Sequence, residues 1–237
     1  FGPLVMDAVR FVPQSRPRLF VVAGKRDVFI PPELLDQWPN GLWQTESLCR
    51  AYRTLPDSLR GAWLWWHLPA PRRRTLTLTE LTEEIPEGVL WHPRAETERL
   101  LSLMSEVHLR KVRQAQGLGR RIVGTVYRRT RGDHRGNKIQ RAEVRFDEIS
   151  GCLRTPVGGS SRQFVLVVQG KSIRSRLLSP REAARLMGVP DSYRLPESYN
   201  DAYHLMGDAL VVPVVSWLER HLLSPVAVAC EALSAAA

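Results

Sequence analysis

The first residues of this chain whose types and spacing could do chemistry are Gln14, Arg16 and Arg18, in the run PQSRPRLF. On an extended backbone, residues two apart share a face. Arg16 and Arg18 could therefore hold one phosphate or one base oxygen between their guanidinium forks; the solvated edge of a sheet would look the same. A second constellation is CLRTPVGGSSRQ over 152–163, preceded by RRTRGDHRGNKIQR over 128–141. Gly158 and Gly159 permit close approach of backbone to a ligand, and Thr155, Ser160 and Ser161 carry hydroxyls that donate to phosphates. Arg128, Arg129, Arg131, Arg135, Arg141 and Arg162 supply charge and bidentate contacts to base edges. These loops suit DNA, and two soluble hairpin loops would share their composition. The third is YHLMGDALVVPVV over 203–215, where Gly207, Asp208 and Ala209 precede an apolar stripe. A helix amino terminus placed there would offer free N–H groups to a polar ligand. Core packing is the plainer account of the same stripe.

These residues need elements to position them. Residues 1–30 read as loop and then strand, with LFVVA over 19–23 having the texture of a buried parallel strand. From 31 to about 93 the chain is proline-rich and holds six of its seven tryptophans, which predicts irregular structure that still buries large side chains. Leu100, Leu101, Leu103, Met104, Val107 and Val112 recur at helical spacing and predict one amphipathic helix between 97 and 116. IVGTVY over 122–127 and FVLVV over 164–168 read as strands of a small β-rich domain. Ser179, Pro180 and Glu182 form a capping box with proline at the first helical position, predicting a helix that runs to Met187 and stops at Gly188. The stripe Leu210, Val211, Val214, Val215, Leu218 and Leu222 predicts a last helix, with Pro213 tolerable only near its start.

The 237 residues carry a formal charge of +10 at 43% hydrophobic content, the composition of a globular chain with a polyanion or an acidic surface as partner. The excess is local. From 110 to 185 there are 19 Lys or Arg against 5 Asp or Glu, a net of +14, whereas the remainder, with 15 basic and 19 acidic residues, nets −4. No apolar run reaches the roughly 20 residues of a membrane span. The start FGPLVMDAVR lacks the layout of a signal peptide, so a cytoplasmic protein is expected. Cys49, Cys152 and Cys230 are odd in number and far apart, and the histidines show no i, i+4 pairing, so neither a disulfide framework nor a metal site is expected. The chain begins with Phe rather than Met and enters directly into structured sequence, which reads as a truncated or processed start.

In their order along the chain, three segments resemble the carboxy-terminal motifs of the DNA (cytosine-5) methyltransferases. PQSRPRLFVVA resembles the family's Gln-x-Arg-x-Arg motif through Gln14, Arg16 and Arg18. RLLSPREAARLMGVPDSY, over 176–193, resembles the motif that follows the target-recognition domain. YHLMGDALVVPVV resembles the last motif, which helps close the S-adenosylmethionine pocket, with Gly207, Asp208 and Ala209 as the implied cofactor contacts. Asp208 stands where the family usually has Asn, and a carboxylate accepts but does not donate as an amide does. Thr155 falls where the family places a recognition-loop threonine, with Pro156 in place of the usual leucine.

The resemblance implies an α/β fold: the terminal part of an S-adenosylmethionine-dependent Rossmann-like methyltransferase domain plus a small β-rich target-recognition domain. The implied boundaries are 1–30 for late strands of the catalytic domain, 31–172 for target recognition and 173–237 for the return to the catalytic domain. It also implies duplex DNA as partner and a mechanism in which cytosine is flipped from the helix. A cysteine thiolate then adds to C6, and C5 takes the methyl group. Arg18 would be the cation near the ring carbonyl, supported by Arg16 and Gln14. The family's Phe-x-Gly-x-Gly loop, Pro-Cys nucleophile and Glu-Asn-Val motif are not in this sequence: the three cysteines follow Leu48, Gly151 and Ala229. The expectation is therefore the carboxy-terminal half of such an enzyme, inactive alone and completed by an amino-terminal half or subunit. A noncatalytic DNA-specificity subunit and a tRNA cytosine-5 methyltransferase are the alternatives.

Overall fold

A computed structural model describes residues 1–132, 136–155 and 162–236, with the side chains of Arg131 and Ala236 outside the description. The chain is a mixed α/β structure of helices and antiparallel sheets that divides into two compact units, residues 1–8, 17–73 and 213–237, and residues 9–16 and 74–212.

In the first unit, β1 (Gly2–Asp7) pairs antiparallel with β2 (Pro17–Val22) in the register Leu4↔Phe20. The expected loop at the start of the chain is thus a strand, and the expected buried parallel strand is antiparallel, with Leu19 and Val21 59% and 58% exposed. Only residues 8–16 join the two, fewer than the dozen that a parallel crossover needs. The short strands β3 (Leu35–Asp36) and β4 (Trp65–Trp66) also pair antiparallel, with helices α1 (Glu46–Thr54) and α2 (Asp57–Arg60) between them in sequence. The tryptophan-rich stretch buries two of its rings completely. Trp43 donates from Nε1 to the Leu68 carbonyl and Trp66 to that of Gly2, so neither indole N–H is left without an acceptor.

The second unit is built on a four-stranded antiparallel sheet. Helices α3 (Leu78–Leu81), α4 (Arg94–Ser102) and α5 (Glu106–Gly117) precede it. Its strands are β5 (Ile122–Gly132), β6 (Lys138–Arg145), β7 (Gln163–Gln169) and β8 (Ser172–Leu177), in the order β6-β5-β7-β8. One face of this sheet, through Val126, Val144, Phe164 and Leu166, forms the core with Leu100, Met104, Val112 and Ala115 of the preceding segment. The single helix expected over 97–116 is two. Ala142 N–H takes the Leu103 carbonyl at 3.0 Å and Met104 is buried against the sheet, so the helical ladder stops where the sheet claims its acceptor.

Helix α6 (Pro180–Leu186) starts as its sequence predicts. Ser179 accepts from the Glu182 N–H and Glu182 accepts from the Ser179 N–H. It ends at Gly188, whose φ of 71° sits in the left-handed region that glycine enters without strain. Helix α7 (Tyr199–Asp208) follows. Back in the first unit, α8 (Val212–Leu218) and α9 (Ser224–Ala236) flank a π-helical turn over Glu219–Leu223, and Pro213 occupies the first turn of α8, where its missing N–H costs nothing.

Candidate functional site

Gln14 and Arg16 lie in the second unit, and both are buried. The strand-like segment around them runs parallel to residues 150–153, with Ser15 N–H on the Ser150 carbonyl and Ser150 N–H on that of Pro13. Gln14 spends its amide on main chain: Nε2 donates to the Leu186 carbonyl at 2.8 Å and Oε1 accepts from Leu153 N–H at 3.0 Å. Arg16 donates from Nη1 to the Leu153 carbonyl at 2.7 Å. Its Nη2 donates to the carbonyls of Gly207 and Ala209 at 2.8 and 2.9 Å. Those two carbonyls belong to the last turn and exit of α7, where acceptors have no helical partner and a cation is favoured by the helix dipole. Arg18 differs. It belongs to the first unit, is exposed, and its Nη1 donates to the neighbouring Pro17 carbonyl.

Gly207 and Asp208 close α7 rather than preceding a helix, so the helix amino terminus expected after them lies further on, at Val212. A Cβ on Gly207 would stand 2.6 Å from the Arg154 carbonyl carbon and the Thr155 nitrogen. Only glycine lets α7 approach the 154–155 peptide this closely. The structure thus brings Arg16, Thr155, Gly207 and Ala209 to one place. The Asp208 side chain is exposed, 3.1 Å from His204 one turn earlier.

The basic residues fall into two sets. Strand β7 pairs with β5 only as far as Tyr127↔Gln163, whereas β6 continues to pair through Arg129↔Arg141 and Arg131↔Ile139 to Gly132↔Lys138. Residues 128–132 and 138–142 therefore continue beyond the sheet as a two-stranded ribbon. At about 3.4 Å per residue its five pairs extend about 17 Å. The Arg129 guanidinium lies 4.6 Å from the Tyr127 ring and 3.7 Å from Glu143. Arg141 is directly opposite on the same face and exposed.

Arg128 points to the other face, the core side. Its guanidinium stacks 5.0 Å over the Phe164 ring. There it shares the lining of a cavity of about 210 Å³ with Arg162, Arg99, His92 and Glu96. Burial and the neighbouring Arg99 guanidinium pull the Arg128 pKa down, and burial does the same to His92. Arg99 and His92 were not singled out from sequence, because nothing in the spacing of 92, 99, 128 and 162 relates them. Arg135, Gly158, Gly159 and Ser160, like Pro156 and Ser161, lie outside the described residues.

Sequence reading also passed over the buried pair Arg176 and Glu182. The Glu182 carboxylate accepts from Arg176 Nη1 and Nη2, both at 2.7 Å, and from the N–H groups of Ser179 and Glu83, both at 2.8 Å. Four donors saturate its lone pairs, the condition under which a buried carboxylate is tolerated. An arginine six residues before a capping-box glutamate was the available signal. Among the described residues no group of His, Cys, Asp and Glu could hold a metal ion, and no helix is long and apolar enough to cross a membrane.

The chain matches the family described as C-5 cytosine-specific DNA methylase over residues 3–224. It is 42% identical over 56 residues to the type II methyltransferase M.HhaI of Haemophilus parahaemolyticus, covering 24% of this chain and 16% of that protein. It is 31% identical over 108 residues to the type II methyltransferase M.HpaII of Haemophilus parainfluenzae, covering 39% and 30%. It is 37% identical over 71 residues to the DNA (cytosine-5)-methyltransferase CMT2 of Oryza sativa subsp. japonica, covering 30% and 5%. The matched segments thus span less than a third of the length of each of these relatives.

Proposed function

The chain belongs to the C-5 cytosine-specific DNA methylase family, and from that premise we propose that it supplies the DNA-recognition and pocket-supporting portion of an enzyme that methylates C5 of a flipped cytosine. The ribbon carries this reading. A two-stranded β-ribbon fits the roughly 12 Å wide major groove of duplex DNA, and this one presents Arg129 and Arg141 side by side on one face. Like charges directly opposite on two strands repel; a polyanion turns that cost into affinity.

Around the motif that opens the chain, Gln14 and Arg16 act by holding main chain and Arg18 is the arginine of the three with an exposed side chain. Arg18 is therefore the candidate cation for the cytosine ring carbonyl. S-adenosylmethionine, the family's methyl donor, would supply the methyl group. Of the implied contacts, Asp208 has an exposed carboxylate that fits a donor such as an amine or hydroxyl. Gly207 and Ala209 already give their carbonyls to Arg16 and would act by shaping the backbone. The thiolate would come from sequence outside these 237 residues, since none of the three cysteines follows proline.

The competing reading is a DNA-binding module that carries the family scaffold without catalysis, favoured by that same lack of a Pro-Cys pair. Purified chain is expected to bind duplex DNA with a steep salt dependence and to prefer it to tRNA in competition. It is expected to transfer no methyl from labelled S-adenosylmethionine until an amino-terminal half is added. A flat salt series would remove the electrostatic basis of the proposal. Preference for tRNA would transfer it to RNA, and an amino-terminal half that restores no transfer would leave the noncatalytic module.

A further inference from the structure

The cavity between α4 and the sheet concentrates charge in a way that the ribbon does not explain. Arg99, Arg128 and Arg162 line it with Glu96 as the one carboxylate among the described residues, over a floor that includes Phe164. Glu96 lies 3.9 Å from Arg99, so two positive charges remain in excess even with His92 neutral. Burial lowers the Arg128 pKa, and the neighbouring guanidinium groups of Arg99 and Arg162, which repel it, lower it further. Rings hold the guanidinium planes. Phe164 lies under Arg128 at 5.0 Å and Tyr199 under Arg162 at 5.8 Å. Arg162 Nη2 donates to Asn200 Oδ1, while its Nε is buried and has no hydrogen-bond partner among the described residues. Elsewhere in the unit, Arg16 directs its fork to three carbonyls and the Cys152 sulfur, and Arg176 directs its fork to two carbonyls and the Glu182 carboxylate. A polar cavity of about 210 Å³ is several times the roughly 30 Å³ share of one water, so it has room for an anion with part of its hydration.

We propose that this cavity is a phosphate subsite that seats one phosphodiester of the DNA backbone, with Arg99, Arg128 and Arg162 donating to its oxygens and Phe164 as its floor. Guanidinium forks match phosphate oxygens in pairs, and the bound anion offsets the repulsion that the three cations otherwise impose. The subsite rests on the DNA-binding reading and adds a role to it: it positions the duplex without reading sequence, whereas the ribbon face with Arg129 and Arg141 addresses the bases.

The test is DNA affinity across a salt series for the unaltered chain, the double variant Arg128→Gln/Arg162→Gln, the exposed single variant Arg99→Gln and the ribbon variant Arg141→Gln. Loss of one phosphate contact lowers the slope of log affinity against log salt by about 0.9. The double variant should therefore lose about 3.5-fold less affinity between about 50 mM and about 200 mM salt than the unaltered chain does. Its weakening should be equal for every duplex sequence. A duplex with a neutral methylphosphonate at the seated position should bind the unaltered chain more weakly and the double variant no more weakly than the natural duplex. Arg99→Gln, at a solvent-exposed position, repeats the direction without risk to folding.

If the Arg99 and double variants keep the full slope of the unaltered chain, whatever Arg141→Gln does to sequence preference, the subsite is wrong and DNA binding stands. If the unaltered chain shows no salt-dependent binding, both fall. Thermal stabilisation by inorganic phosphate that the double variant abolishes, at unchanged DNA affinity and slope, would assign the cavity to a free anion and overturn the backbone assignment.

Discussion

Arginine does opposite work in two regions of the second unit. Around Arg16 and Arg176 the guanidinium groups are buried and donate to main-chain carbonyls, the Cys152 sulfur and the Glu182 carboxylate. At the ribbon, Arg129 and Arg141 face one another across two strands and are exposed. The first arrangement converts charge into fixed geometry, because a buried cation persists only when its donors are matched by acceptors. The second keeps charge available to a partner. The difference predicts that substitutions in one region act on stability and in the other on binding.

The largest effect is expected at the buried pair. Arg176→Met leaves the Glu182 carboxylate buried without its cation and should cost about 3–5 kcal/mol in denaturant unfolding; a loss under 1 kcal/mol, on the order of a surface substitution, would show that Glu182 escapes to water. Arg16→Met strands three carbonyls and should cost about 1.5–3 kcal/mol. Gly207→Ala forces the 154–155 peptide away from α7 and should cost about 1–3 kcal/mol. An unchanged melting temperature for Gly207→Ala would mean that the close approach is not what selects glycine there.

On the ribbon the order inverts. Arg141→Gln should leave stability within about 0.5 kcal/mol while weakening duplex binding, and equal weakening on all sequences would reduce Arg141 to a phosphate contact. The smallest effect concerns pH. Burial lowers the His92 pKa in the folded chain, so the unfolded chain binds the proton more readily. The stability at stake is full above the unfolded value of about 6.5 and is lost as pH falls from there through the lower folded value. His92→Gln should flatten that part of the stability profile; an unaltered profile would place the dependence on other groups.

Several elements could be read directly from the chain. The Ser179–Glu182 box and the Gly188 stop are local signals, each made by residues within one or two turns, and the helix begins and ends where they say. Strands at 122–127 and 164–168 were legible from β-rich apolar runs, although β5 extends to Gly132 because its far half pairs with β6 alone. The helix over 97–116 was misread as continuous because the acceptor that breaks it is claimed by Ala142, some forty residues away. The texture of LFVVA said strand, but its partner and direction depended on the length of the connection to β1.

What the sequence by itself determined is the order of motifs, the concentration of positive charge over 110–185 and the local starts and stops of helices, since these rest on composition and on neighbours along the chain. Only the tertiary structure decided which cations are spent. Gln14, Arg16 and Arg18 stand two apart in one short motif, yet the fold buries two of them against main chain and leaves the third exposed. It likewise placed Arg128 and Arg129, adjacent in sequence, on opposite faces of one strand and gathered Arg99, Arg128 and Arg162 around one cavity. The physical reason is that a charge is assigned by the donors, acceptors and water around it, and those arrive from distant parts of the chain.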